Sequence, residues 1–261
     1  MRFLQPLAAS LWIWFLVWTV VVAVVWLSGF GEAQAAEWAQ RRFLTPEQRL
    51  NGEAPPIQAA LVTALRLVDP VWAVLAGINA YASLVAARGL ATARRWMLVL
   101  LVSGMAVAAA SAWWQFPLGP VHYTGRLGPR FGPVSLGWAL LWCAIVLGSR
   151  ELARRVFPRA GHGALALATG AFALVTDVNL EPIAWRVRVF WLWYPGQLPA
   201  PEHPPLLNYA TWFLAATALA YAFRAPEVIR RGAGPEIRGA IILLILNALC
   251  LASQFSHRVF S

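Results

Sequence analysis

The sequence predicts an all-α fold, a polytopic integral membrane bundle of about seven transmembrane helices, and three observations carry the prediction. The 261-residue chain is 60% hydrophobic and only 12% charged, about half the charge of an ordinary soluble domain. Its apolar residues fall into long runs, and a run of about 20 residues crosses the roughly 30 Å of hydrocarbon in a bilayer. The charges that remain gather between those runs, as membrane-flanking residues do. A single transmembrane domain is therefore expected over residues 1–261.

Taken in order, the candidate spans are residues 7–30, 57–87, 96–116, 134–149, 163–177, 206–223 and 239–256. The first is followed by "AQA" at 33–35, which has the small-x-small form of a cleavage site, but its apolar run is too long for a signal peptide and predicts a retained helix. The second exceeds what a bilayer needs and contains Arg66, Asp69 and Pro70, which predicts a kinked helix with its first part near the interface. Arg66 and Asp69 lie at i,i+3 and are expected to neutralise each other. After the fifth span, "IAWRVRVFWLWY" is open to two readings, re-entering the membrane or lying flat on it.

All 21 basic residues are Arg, giving a net charge of +10. A basic balance can mean nucleic acid, but here the Arg residues flank spans, so no nucleic-acid partner is expected. With seven spans, one side carries Arg2, Arg88, Arg94, Arg95, Arg150, Arg154, Arg155, Arg159, Arg224, Arg230, Arg231 and Arg238, against Glu151, Glu227 and Glu236. By the positive-inside rule that side faces the cytoplasm, and "TDVNLE" (176–181) and "HYTGRLGPRFGP" (122–133) share the outer end. Cys143 and Cys250 fall inside apolar runs and are expected to be small packing residues.

Asp177 and Glu181 are four residues apart and project from one helix face if the fifth helix reaches Pro182. Two neighbouring carboxylates at low dielectric cannot both ionise cheaply, so one can keep a proton and act as general acid while the other acts as base. The plainer reading makes both solvated helix-end groups paired with Arg186 or Arg188. Trp185, Trp191, Trp193 and Tyr194 can likewise be an interfacial belt, or can face a carbocation, since aromatic rings stabilise cations. Asn179 stands between the acids, and Asn208 opens the sixth span, where an intramembrane Asn needs either another helix or a water. His122 and Tyr123 lie in a Gly- and Pro-rich turn. Metal-ligand spacings, phosphate loops and the several Asp residues of a magnesium-diphosphate site are missing from the sequence.

Over residues 122–212 the chain resembles the carotenoid biosynthesis membrane proteins typified by the CruF-type carotenoid 1',2'-hydratases. The resemblance rests on Tyr123 and Thr124 before Leu127 and Gly128, "GPVSLGW" at 132–138, Asp177 with Glu181 and Pro182, Trp191 with Trp193, and Pro205 with Asn208, Tyr209 and Trp212. It departs from the family pattern at Ser135, where a proline is expected, and at "PEHPP" (201–205) ahead of Asn208. The resemblance implies addition of water across the terminal 1,2 double bond of a linear carotenoid such as lycopene or gamma-carotene, with no cofactor and no metal. Asp177 is then the expected proton donor and Glu181 the water-side partner, with His122, Tyr123, Asn179, Trp185, Trp191, Trp193, Asn208 and Trp212 around the substrate. Membrane lipid and other carotenoid biosynthesis enzymes are the expected partners, in the bacterial inner membrane. Competing functions are a carotenoid isomerase or cyclase, a carotenoid-binding protein, and a proton-coupled transporter relaying protons through the same acids. The hydratase reading requires both acids to be away from bulk solvent and beside an apolar channel.

Overall fold

The computed structural model describes residues 4–194, 203–223 and 237–260. The long helices are α1 (Leu4–Ser28), α4 (Pro56–Arg88), α5 (Leu90–Trp114), α6 (Leu136–Val156), α7 (His162–Glu181) and α9 (Arg238–Phe260), and each is long and apolar enough to cross a membrane. The 17-residue α8 (Leu206–Ala222) is apolar but shorter. The seven expected spans are therefore all present as helices, six of them of spanning length. Arg2, Arg224, Arg230, Arg231, Glu227 and Glu236, used above for orientation, lie outside the described residues, as do Pro201 and Glu202 of "PEHPP".

Helix α6 forms the centre, since 72% of its apolar stretch is buried against 17% for α1. It packs on α4, α5, α7 and α9, while α1 packs on α4 and α8 on α7. Small residues set the closest approaches. A Cβ on Gly148 of α6 would stand 2.6 Å from the Gly239 carbonyl of α9, and one on Gly170 of α7 would stand 2.7 Å from the Phe213 carbonyl of α8. Arg150 of α6 donates to the carbonyls of Ala220 (2.8 Å) and Phe223 (3.1 Å) and so satisfies the C-terminal end of α8.

Two short helices, α2 (Glu32–Phe43) and α3 (Pro46–Leu50), follow α1, and α2 packs on α4. "AQA" lies inside α2, with Ala35 buried. Helix α4 runs unbroken through Pro70. The expected Arg66–Asp69 pair does not form. Arg66 reaches across to Glu32 (2.8 Å), and Asp69 is held by Arg188 (2.5 Å) and the Trp26 indole (2.9 Å). Asp69 is buried inside the bundle, where a charge needs a partner, and Arg188 supplies two N–H donors to one of its oxygens. Cys143 and Cys250 are buried free thiols, as expected.

Four short strands cover one end of the bundle. Strand β1 (Val121–Tyr123) pairs antiparallel with β4 (Trp191–Trp193), with Val121 opposite Trp193, His122 opposite Leu192 and Tyr123 opposite Trp191. Strands β2 (Arg130–Phe131) and β3 (Val134–Ser135) make a second small ladder leading into α6. "IAWRVRVFWLWY" folds in two parts. Its first part winds α7 onward as a π-helical turn, Pro182–Val187, and Trp191–Trp193 returns as a strand. Between them Val189 adopts φ +54°, a costly conformation for a β-branched residue, and its carbonyl accepts a hydrogen bond from the Thr124 hydroxyl (2.6 Å).

Candidate active site

Helix α7 buries Ala173, Thr176, Asp177, Leu180 and Glu181, a stripe at the three- and four-residue spacing of one face. Asp177 is 0% exposed and Glu181 1%, so neither is a solvated helix-end group. Neither is paired with Arg186 or Arg188; Arg188 is engaged with Asp69, and Arg186 sits over the Trp185 ring at 4.7 Å.

The donors come from elsewhere. Asn208, at the start of α8, uses its side-chain amide to bridge the two acids, donating to Asp177 Oδ2 (2.7 Å) and Glu181 Oε1 (2.9 Å). The π turn brings β4 back beneath Glu181, whose Oε2 accepts from the Trp193 indole (2.9 Å) and the Trp191 indole (3.2 Å). Strand alternation explains why both indoles reach the same carboxylate, for residues two apart share a face. Glu181 therefore accepts three N–H bonds and Asp177 one. The other Asp177 oxygen, Oδ1, is buried and meets no donor among the described residues.

Aromatic rings wall this group. The Tyr123 ring centroid lies 5.6 Å from Trp138 and 6.3 Å from Trp191, while Trp212 lies 6.4 Å from Trp138 and 4.6 Å from Trp142. Burial, and after it the charges of Glu181 and Asp177, hold the Tyr123 phenol well above its ordinary range, so it stays neutral. Between Tyr123, Trp138, Trp191, Trp193, Trp212, Glu181 and Asn208 a cavity of about 10 Å³ remains, space for one water molecule. The requirement that the acids avoid bulk solvent is met, whereas the cavity that the described residues leave beside Glu181 is too small for a polyene end group.

Of the ten residues singled out from the sequence, Asp177, Glu181, Tyr123, Trp191, Trp193, Asn208 and Trp212 come together here. Three do not. Asn179 points from the opposite side of α7 to α9, donating to Asn247 Oδ1 (2.7 Å), because two residues along a helix is more than half a turn. His122 is exposed on the outer face of β1, since it alternates with the inward Val121 and Tyr123. Trp185 is half-buried in the π turn beside Arg186. Trp138 was missed, although it closes "GPVSLGW". The signal that could have found it is Trp142 one turn on, which stacks with it at 5.8 Å and 11°, an i,i+4 aromatic pair visible in the sequence.

Among the described residues, no group of three or more His, Cys, Asp or Glu side chains gathers. The sequence model of a family described as carotenoid biosynthesis protein matches residues 68–256, which include every residue of the site. The chain belongs to this family. As a carotenoid biosynthesis protein it is an integral membrane protein with a role in carotenoid biosynthesis, acting on carotenoid-related material. No curated protein and no solved structure gives a significant match to the chain.

Proposed function

We propose that this carotenoid biosynthesis protein is a cofactor-independent hydratase that adds water to the terminal 1,2 double bond of a linear carotenoid, giving a tertiary alcohol. The observation that carries the reading is the unequal hydrogen bonding of the buried acids, three donors on Glu181 and one on Asp177, with Asp177 Oδ1 left over. A carboxylate that accepts several N–H bonds is favoured in its charged form, and an oxygen without a donor is where a proton is best carried. Asp177 is accordingly the acid and Glu181 the base.

In the reaction, the Asp177 proton passes to the inner carbon of the terminal double bond and the π pair becomes the new C–H bond. The outer carbon, which bears two methyl groups, is left as a tertiary cation facing Trp138, Trp191 and Trp212. Water attacks that carbon, and its surplus proton goes to Glu181 and from there returns to the pair, so no net proton is consumed. The water-sized cavity between Glu181 and the rings supports capture of water over cyclisation. The substrate class is a linear end group such as that of lycopene or gamma-carotene, in the bacterial inner membrane.

The test is expression in lycopene-producing cells with mass analysis of extracted pigments, for the parent chain and for Asp177→Asn and Glu181→Gln. The parent is expected to add the mass of water, Asp177→Asn to abolish the product and Glu181→Gln to reduce it at least a hundredfold. Hydration at the parental rate in both variants overturns the assignment. A pigment changed in structure but not in mass would indicate an isomerase or cyclase.

A further inference from the structure

The cavity that the described residues leave beside Glu181 has room for about one water, so among these residues a wall must move to admit a polyene end group. Most walls are tied. Asp177, Glu181, Asn208, Trp191 and Trp193 hold one another by hydrogen bonds, and β1 is laddered to β4. Helix α8 lies tightly on α7, where Gly170 meets the Phe213 carbonyl.

The side between α5 and α8 differs. These helices do not pack along their lengths. They are joined at one end by the stack of Trp96 on Phe223, 4.4 Å apart and 14° from parallel. At the other end the connector from α5 to β1 crosses between them, fastened by Leu118 N–H to Ser111 Oγ (2.9 Å) and by the Thr211 hydroxyl to the Pro117 carbonyl (2.7 Å). Leu118 hangs from the connector into the cavity wall. The Trp142 indole lies against α5 where Gly104 has no side chain, since a Cβ there would stand 2.6 Å from Trp142 Cδ1. Its buried Nε1 meets no acceptor among the described residues, so swinging the ring aside breaks no hydrogen bond that they supply. Trp113, Trp114 and Phe116 are exposed beside the connector and make its outer rim apolar.

We infer that the polyene enters laterally from the hydrocarbon through the α5–α8 seam, with Leu118 as the part of the cavity wall that yields and the Trp142 indole, packed behind Trp138 and Trp212, making room for it, so that Leu118 controls access to the carboxylates. The inference rests on the carotenoid reading of the site, but access can be measured separately from chemistry. The full-length chain in lipid nanodiscs is mixed with lycopene-loaded vesicles, then isolated, and both the retained visible absorbance and the hydrated product are measured. Leu118→Trp is expected to lower pigment uptake and product at least tenfold. Leu118→Ala, which cannot block, is expected to raise the uptake rate about threefold or more, and Leu167→Trp on the exposed face of α7 to leave both within twofold. Parental uptake in Leu118→Trp, or an unchanged rate in Leu118→Ala, overturns the route. If the parent takes up pigment that stays unhydrated, the hydratase reading fails while the uptake comparison still decides the route. If the parent takes up none, both fall.

Discussion

Replacing Asn208 by Ala removes the amide that bridges Asp177 Oδ2 and Glu181 Oε1 at 2.7 and 2.9 Å. A hydrogen bond to a charged buried group contributes about 1.5–3 kcal/mol and one to a neutral group about 0.5–1.5 kcal/mol, so the bonds to ionised Glu181 and protonated Asp177 contribute about 2–4.5 kcal/mol together. The smaller side chain leaves space that a water can occupy, and in so polar a site that water restores part of the loss. A net loss of about 2–3 kcal/mol in the positioning of the two acids corresponds to a fall of about 30- to 150-fold in rate, at about 1.36 kcal/mol per decade. The assay is product formed per unit of protein in membranes of lycopene-producing cells, with protein quantified by immunoblot so that lost expression is not mistaken for lost chemistry. Hydration by Asn208→Ala within threefold of the parent would refute the idea that the bridging amide sets the acid pair.

Three further outcomes follow from the same geometry. Trp193→Phe keeps a ring but loses the N–H on Glu181, and should lower activity about tenfold, while Trp185→Phe, which removes an indole that donates to neither acid, should leave it within twofold in the same product assay. Arg188→Gln leaves Asp69 buried without its cation and should destabilise the protein by about 3–5 kcal/mol, read as a lower melting temperature in detergent; adding Asp69→Asn should recover more than half of the shift. Gly170→Ala sets a methyl 2.7 Å from the Phe213 carbonyl and against Thr217, which forces α8 off α7; a cost of about 1–3 kcal/mol and a clear loss of activity are expected, because Asn208 moves with α8.

The long helices were legible because each apolar run carries its own length requirement, independent of its neighbours. So was the Asp177–Glu181 face, since four-residue spacing on a helix fixes direction without tertiary information. Helix direction also explains the error at Asn179, which is near the acids in sequence and turned toward Asn247 in space. Strand pairing was not legible. "VHY" and "WLW" are three-residue segments nearly 70 positions apart, too short for alternation to announce them, and only their pairing reveals that His122 and Leu192 face outward while Tyr123, Trp191 and Trp193 face inward. The Arg66–Asp69 expectation failed for a related reason. Local spacing proposes the nearest partner, whereas burial of Asp69 between α1 and the π turn selects Arg188 and Trp26.

The two acids differ in the lone pairs they leave unused. An ionised carboxylate offers about four acceptor positions. On Glu181, both positions of Oε2 are taken by the indoles of Trp191 and Trp193, and one of Oε1 by Asn208, leaving a single direction on Oε1 for a water. Asp177 keeps one position on Oδ2 and all of Oδ1. On the hydratase reading this asymmetry orders the steps. Asp177 can hold a proton on Oδ1 without displacing any existing bond, so its transfer to an alkene costs no rearrangement of the acid pair. Glu181 can orient one water and no more, and the three donors that restrict it also stabilise the charge it needs to accept a proton. A transporter relay would require both acids to gain and lose protons with comparable ease, and the indole pair on Glu181 works against that symmetry.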